Sequence, residues 1–321
     1  MGAAAGEVVG IGVSSCLLGA GVRHDGGHKR DPIITDVLGP YFKYIPVCPE
    51  LEAGMGVPRE AVRLLGDVER PHMRGVTSLT DHTRQMERFS KARVKALTKL
   101  NLSGFLLKAN SPSCGVRRVK LYKLDGRFAE KKAQGIFARH VQAGMKHLPV
   151  EDEGRLRDPS IRENFIARVF CYNRWRRLVG QRLTPGRLMD FHTAHALVIL
   201  AHSPEHCRRL GRLVAMRKNQ TPARLAASYA NLFFEALRHP ATPRRNAKAL
   251  RHAAKLLKKI LAKDDREELI EIIDNYSRGL APLVVPLTLI SHHARKHAVA
   301  CLLRQVYLNP HPTERLLRSH A

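Results

Sequence analysis

Leu106-Leu107-Lys108-Ala109-Asn110-Ser111-Pro112-Ser113-Cys114-Gly115 is an apolar run that stops abruptly in small polar residues and a cysteine. Residues 103–107 read as a buried strand. Pro112 and Gly115 forbid its continuation, so Cys114 is expected on a turn just beyond the strand's carboxyl end. The arrangement recurs twice: Val8-Val9-Gly10-Ile11-Gly12-Val13 runs into Ser14-Ser15-Cys16, and Tyr44-Ile45-Pro46-Val47 runs into Cys48-Pro49-Glu50. In an open sheet of parallel strands, ligands bind in the crevice outside the carboxyl ends. Three thiols placed after three strands can therefore converge on one site.

The segments between these strands supply the rest of an α/β unit. The loop after the first strand is glycine-rich, which lets backbone N–H groups approach an anion or cluster sulfides closely. It carries Arg23, His24 and Asp25, which can supply charge and proton transfer near Cys16, although an Asp-Gly turn explains Asp25 equally well. Glu50 stands two residues from a candidate ligand thiolate, where a carboxylate can act as general acid or base or coordinate iron. Arg59, in Gly56-Val57-Pro58-Arg59, can bind an anionic substrate group or pair with a carboxylate. A helix is expected from about residue 35. Another follows Asp81, a capping residue, with Met86, Phe89, Val94, Leu97 and Leu100 on one apolar stripe. That second helix returns the chain to the third strand, giving a βαβ unit. Residues 119–122 with Asp125-Gly126 read as strand and turn, and 134–146 as helix.

Residues 148–156 make the expected boundary, because proline, glycine and the Glu151-Asp152-Glu153 charge cluster interrupt both apolar periodicities. Beyond it the pattern predicts only helices, over 161–179, 188–201, 204–216, 222–237, 246–262, 266–278 and 292–307. The expected fold is a Rossmann-like α/β domain over 1–150 with a mainly parallel sheet, followed by an all-α helical bundle over 151–321. Within the bundle, the pairs His192/His195 and His293/His297 have the spacing to share a helix face and hold a metal, but no third ligand is fixed by spacing. Cys171, Cys207 and Cys301 lie in helical patterns and read as packing or surface residues.

The chain carries 55 Lys and Arg against 28 Asp and Glu, and residues 161–321 alone hold 29 against 11. Such a surplus favours polyanions, so RNA or DNA is a candidate partner of the second half. The longest apolar candidate, residues 281–290, contains two prolines and falls short of a bilayer span. The first six residues lack a basic region, a long apolar core and the Ser or Thr of a myristoylation signal. A cytoplasmic protein without membrane attachment is expected. Six cysteines in so long a chain do not form a secreted disulfide framework.

Three thiolates can hold a cuboidal iron–sulfur cluster and leave one iron open to substrate, whereas a fully ligated cluster suits electron transfer or structure. Chemistry alone orders the alternatives as iron–sulfur cluster, zinc site and cysteine nucleophile. Ser14-Ser15-Cys16-Leu17-Leu18-Gly19, Val22-Arg23-His24-Asp25-Gly26, Cys48-Pro49-Glu50, Gly56-Val57-Pro58-Arg59 and Ser111-Pro112-Ser113-Cys114-Gly115 together resemble the thiouracil desulfurase family. The resemblance implies an α/β domain in which Cys16, Cys48 and Cys114 ligate a [4Fe–4S] cluster, with Glu50 and Ser111 as acidic and serine site residues. Arg23, Asp25, Arg59 and Ser113 are the candidate substrate contacts, and His24 replaces the tyrosine of the Arg-Tyr-Asp-Gly form. The second half, through Arg162-Glu163-Asn164-Phe165, Phe191-His192-Thr193-Ala194-His195 and Gln305-Val306-Tyr307-Leu308-Asn309-Pro310, resembles the YbgA-like helical domain.

The expected activity is non-redox hydrolysis of a C–S bond in a thiolated pyrimidine base, nucleoside or related thiocarbonyl compound, with release of sulfide. Glu50 would activate water, and Ser111 would hydrogen-bond substrate or water. The alternatives are a nucleic-acid-binding or repair-associated protein with a structural cluster, and a sulfur-transfer enzyme acting on tRNA.

Overall fold

Gly12 sits on β1 (Val9–Ser14), where an added Cβ would lie 2.4 Å from the Phe105 ring, so only glycine lets the central strands close. The computed structural model describes residues 9–216 and 221–319. Val8 and the six amino-terminal residues read above lie outside them. The chain forms two compact units, one reaching to Asn173 and taking in Leu317, the other Arg174–Leu316.

In the first unit β1 pairs in parallel with β2 (Phe42–Val47) and β5 (Leu102–Leu107), and β5 pairs in parallel with β8 (Val150–Asp152). The strand order is β2-β1-β5-β8. Every residue of β5 is buried, as expected of a strand covered on both faces. Its side chains alternate between two cores. Leu106 packs with Ile11, Val13 and Leu17 against Phe165 and Ile166 of α4 (Pro159–Val179). Phe105 and Leu107 pack with Val47 against Phe137 and Val141 of α3 (Ile136–Gly144) and Val94 of α2 (Thr83–Leu97). Truncating the fully buried Phe105 to alanine costs about 3–5 kcal/mol by this reasoning. The N-cap of α2 is His82 rather than the expected Asp81, which lies one residue earlier and accepts the Thr83 amide at 2.9 Å in a turn leading into the helix.

A second sheet, unread in the sequence apart from residues 119–122, is ordered β4-β3-β6-β7. It comprises β3 (Val62–Gly66), β4 (Pro71–Gly75), β6 (Val119–Tyr122) and β7 (Phe128–Ala133). Only the β3–β6 pair is parallel. The helix expected from residue 35 is a six-residue π-helical turn, Ile33–Leu38, anchored by buried Ile34 and Leu38.

The stretch 148–156 carries β8 where a linker was expected. Its three acids are buried because donors meet them: Glu151 Oε1 accepts from Arg117 at 2.9 Å and Arg155 at 3.0 Å, Asp152 Oδ1 accepts the Arg155 amide at 3.0 Å, and Glu153 pairs with Lys108. The compact units divide after Asn173, inside α4, rather than at residue 150.

The second unit is helical. α5 (Pro185–His202), α6 (Pro204–Ala215), α7 (Pro222–Arg238) and α8 (Pro243–Leu257) all begin alike. A Ser or Thr hydroxyl at the N-cap accepts an amide two residues past the first-turn proline, as at Thr184, Ser203, Thr221 and Thr242. Trp175 stacks on Tyr229 with ring centroids 5.4 Å apart, and Phe191 and Phe233 close the cluster. α9 (Lys263–Ser277) and α10 (Val284–Lys296) follow. The single helix expected over 292–307 is broken. Ala298 adopts φ 50° and the Val299 amide bonds back to the Ala294 carbonyl, a helix stop, before α11 (Ala300–Leu303). No helix among the described residues is long and apolar enough to cross a membrane.

Candidate active site

Parallel pairing puts the carboxyl ends of β1, β2 and β5 on one edge of the sheet, and the turn after each carries a cysteine. Cys16, Cys48 and Cys114 all line one cavity of about 370 Å³. Cys16 lies in a tight turn, Ser15–Leu18, closed by Gly19 at φ 96°. Its carbonyl accepts the Lys29 amide at 2.9 Å, folding the glycine-rich loop back over the strand end. Cys48 precedes α1 (Pro49–Glu52) and donates its N–H to Glu52 Oε1 at 2.9 Å, while its thiol lies 3.8 Å from the Val22 carbonyl. Cys114 is held by Ser111, whose Oγ accepts the amides of Ser113 at 3.3 Å and Cys114 at 3.1 Å. Gly115 completes this turn, since a Cβ there would lie 2.3 Å from Val119 Cγ2 and 2.8 Å from the Ser111 carbonyl.

Glu50 is fixed at both oxygens. Oε2 accepts from Arg59, through Nε at 3.2 Å and through Nη2. Oε1 accepts the Ser113 hydroxyl at 2.7 Å, and that hydroxyl oxygen also lies 3.0 Å from Ser111 Oγ and 3.7 Å from the Cys114 sulfur. The remaining Arg59 donors go to the carbonyls of Val22 and Gly56, so the anion held by this buried guanidinium is Glu50. Arg23 lines the cavity, 3.6 Å from Asp25. Asp25 does not line it. Asp25 Oδ1 accepts the Gly27 amide at 3.0 Å in an exposed turn, and that bond holds its carboxyl below the usual range.

Burial pushes the Cys16 thiol up to about 11 and the Cys114 thiol to about 12, and raises Cys48 as well. Burial of this kind does not by itself activate a thiol as a nucleophile. Nor do three His, Cys, Asp or Glu side chains among the described residues form a group that could hold a single metal ion. A mononuclear zinc site therefore lacks its geometry. A cuboidal cluster offers a different iron to each cysteine, so its thiols surround a volume instead of meeting at a point.

The histidine pairs have other partners. His195 Nδ1 donates to the Phe191 carbonyl at 2.7 Å, His192 bonds the Tyr229 hydroxyl at 3.2 Å, and the rings of His293 and His297 stack. Cys171 is buried in α4, Cys207 is half-buried and Cys301 exposed, and none of them lines the cavity.

Residues 11–153 match the family model of 2-thiouracil desulfurase, and residues 197–312 match a model described as a protein of unknown function, DUF1722. The uncharacterized protein YbgA of Escherichia coli K12 is 32% identical over 151 residues, which cover 47% of this chain and 89% of YbgA. The chain is a fusion of a 2-thiouracil desulfurase family domain and a YbgA-like domain. The chain is also 32% identical over 128 residues to the uncharacterized protein YbbK of Bacillus subtilis 168, covering 38% of this chain and 82% of YbbK. Among solved structures, the [4Fe–4S]-dependent thiouracil desulfidase TudS is similar, with 27% identity and a TM-score of 0.38 over 47% of this chain and 94% of that one.

On its own chemistry the donor set of this cavity fits a three-thiolate cluster: among the described residues three thiols line it and no fourth, with backbone and hydroxyl groups close to the sulfurs. Sequence reasoning missed several of its lining residues, namely Ser14, Lys29, Lys108 and Asn110. Ser14 Oγ accepts the Lys108 amide at 3.0 Å, tying the ends of β1 and β5 together. For two of them the available signal was position, since Lys108 directly follows β5 and Asn110 directly precedes Ser111.

Proposed function

We propose that the chain hydrolyses the thiocarbonyl of a thiolated pyrimidine base or nucleoside, converting C=S and water to C=O and hydrogen sulfide. The observation that carries this reading is a single cavity lined by Cys16, Cys48 and Cys114 together with the Glu50–Ser113 pair. In this reading Cys16, Cys48 and Cys114 hold a [4Fe–4S] cluster, which supplies a Lewis-acidic iron with affinity for sulfur. Everything else falls to the protein. Glu50 takes a proton from the attacking water at Oε1, and Arg59 keeps the carboxylate aimed. Ser113 links Glu50 to the Ser111 hydroxyl, which orients water or substrate. Arg23 meets the polar edge of the pyrimidine ring. Asp25 shapes the loop that carries Arg23.

The test is anaerobic reconstitution with iron and sulfide, followed by incubation with 2-thiouracil and 4-thiouridine. Sulfide and uracil or uridine should appear in equal amounts. A protein with a full cluster that releases no sulfide from any thiolated pyrimidine would sink the reading.

A second reading places the same thiocarbonyl on RNA. What supports it is the charge of residues 161–321, with 29 Lys and Arg against 11 Asp and Glu. It requires salt-sensitive binding of thiolated tRNA that persists in a Cys114→Ala variant, and faster desulfuration of that tRNA than of free 4-thiouridine. Equal rates would argue for the small molecule.

A further inference from the structure

Lys108 is the lysine at the end of β5, and it lines the cavity of the three cysteines from within the Lys108-Ala109-Asn110 turn. Its ammonium is not loose. Nζ pairs with Glu153 and donates to the Ala109 carbonyl at 3.1 Å, while the other oxygen of Glu153 accepts the Ala109 amide at 2.7 Å. Glu153 thus grips both the side chain of Lys108 and the backbone one residue on. Glu153 is itself 8% exposed and sits immediately after β8, so the grip is built on the parallel sheet.

An ammonium has three N–H donors, and two are accounted for. Among the described residues the only carboxylate lining the cavity is Glu50, already engaged by Arg59 and Ser113. The third donor therefore has no protein acid in the cavity to neutralise it. We infer that Lys108 is a further catalytic residue, which donates its third hydrogen bond to the negative charge that builds on substrate as water adds to the thiocarbonyl carbon. This rests on the desulfuration reading.

The step balances without moving the Lys108 proton. Water's oxygen bonds to carbon, and the π pair of C=S goes onto sulfur. A water proton goes to Glu50. The O–H pair of the added hydroxyl then becomes the C=O π bond as the C–S bond breaks with its pair leaving on sulfur, and the hydroxyl's proton passes to that sulfur, giving hydrosulfide and a protonated Glu50 that returns its proton to solvent. Lys108 gives up no proton in this sequence and keeps its pairing with Glu153 throughout. Such preorganised donors act where charge develops, and removing one costs about 10²–10³ in kcat.

The experiment compares the reconstituted parent with Lys108→Met, Lys108→Arg and Glu153→Gln, reading iron content, melting temperature, kcat and KM on 2-thiouracil. Lys108→Met should keep its iron and lose about 10² in kcat with little change in KM. Lys108→Arg should recover part of the loss, and Glu153→Gln, which frees the ammonium to wander, should fall about tenfold. A Lys108→Met enzyme within threefold of the parent at full iron content overturns the assignment and leaves the desulfuration reading standing. Loss of iron in both Lys108→Met and Glu153→Gln also overturns it, by making the pair a structural clamp. A parent with full iron and no activity overturns both.

Discussion

The Ser113 hydroxyl donates to Glu50 Oε1 at 2.7 Å while its oxygen lies 3.7 Å from the Cys114 sulfur, so one small side chain touches both the proposed base and a proposed cluster ligand. Arg59 closes the far side of the same carboxylate with a side chain only 6% exposed. Sites that hold a carboxylate this way keep it pointed, which a general base requires.

Glu50→Gln preserves shape and removes the charge. The rate of sulfide release should fall by about 10²–10⁴ with iron content unchanged. Stability should drop by about 3 kcal/mol, because a buried guanidinium then faces a neutral amide. Removing both charges in Glu50→Gln/Arg59→Met should recover stability in a denaturant titration without recovering activity. A Glu50→Gln enzyme within threefold of the parent rate contradicts the base assignment.

Two glycines should respond to alanine with opposite signs. At Gly115 the new methyl meets Val119 and the Ser111 carbonyl, so Gly115→Ala should destabilise by about 1–3 kcal/mol and lower bound iron by displacing Cys114. Gly211, inside α6, has no atom within 4 Å of an added Cβ. Gly211→Ala should stabilise by about 0.5–1 kcal/mol through the helix-propensity gain. Urea titrations of the two variants check both signs.

His195 gives the helical unit an acid sensitivity. It is 2% exposed, and burial pushes its pKa down from 6.5 to about 3. The unfolded chain therefore takes up a proton near pH 6.5 that the folded chain refuses. The associated stability is complete above that pH and is lost as pH falls towards 3, at up to about 1.4 kcal/mol per pH unit. His192 and His293 are shifted by burial in the same direction. Melting temperature should decline between pH 6.5 and 4, and His195→Phe should flatten that slope. An unchanged slope in the variant would contradict it.

How much of this was legible in the chain depended on whether burial was signalled by apolar residues. The three strands ahead of Cys16, Cys48 and Cys114 are apolar runs ended by Ser, Pro or Gly, and they were read directly. β8 was not, because Glu151, Asp152 and Glu153 look like a solvated linker, and only their partners, of which Arg117 and Lys108 are distant in sequence, make their burial tolerable. β7 escaped for the opposite reason: Phe128-Ala129-Glu130-Lys131-Lys132-Ala133 lacks apolar alternation, and Phe128 is 54% exposed. Arg59 and Asp25 carry the residue types of substrate contacts. The structure uses Arg59 to hold Glu50 and Asp25 to close a turn, distinctions that require the third dimension. Lys108 was quoted in the motif and passed over, since a lysine after a strand is ordinarily a solvated end.

The most direct measurement is iron and acid-labile sulfide per chain, with sulfide released from 2-thiouracil, in the anaerobic parent and in six single Cys→Ser variants. The parent should hold about four irons. Cys16→Ser, Cys48→Ser and Cys114→Ser should each lose the cluster and the activity, while Cys171→Ser, Cys207→Ser and Cys301→Ser keep both. A parent that binds no iron after reconstitution, or a cluster that survives the loss of Cys16, Cys48 or Cys114 and departs with one of the other three, would contradict the account.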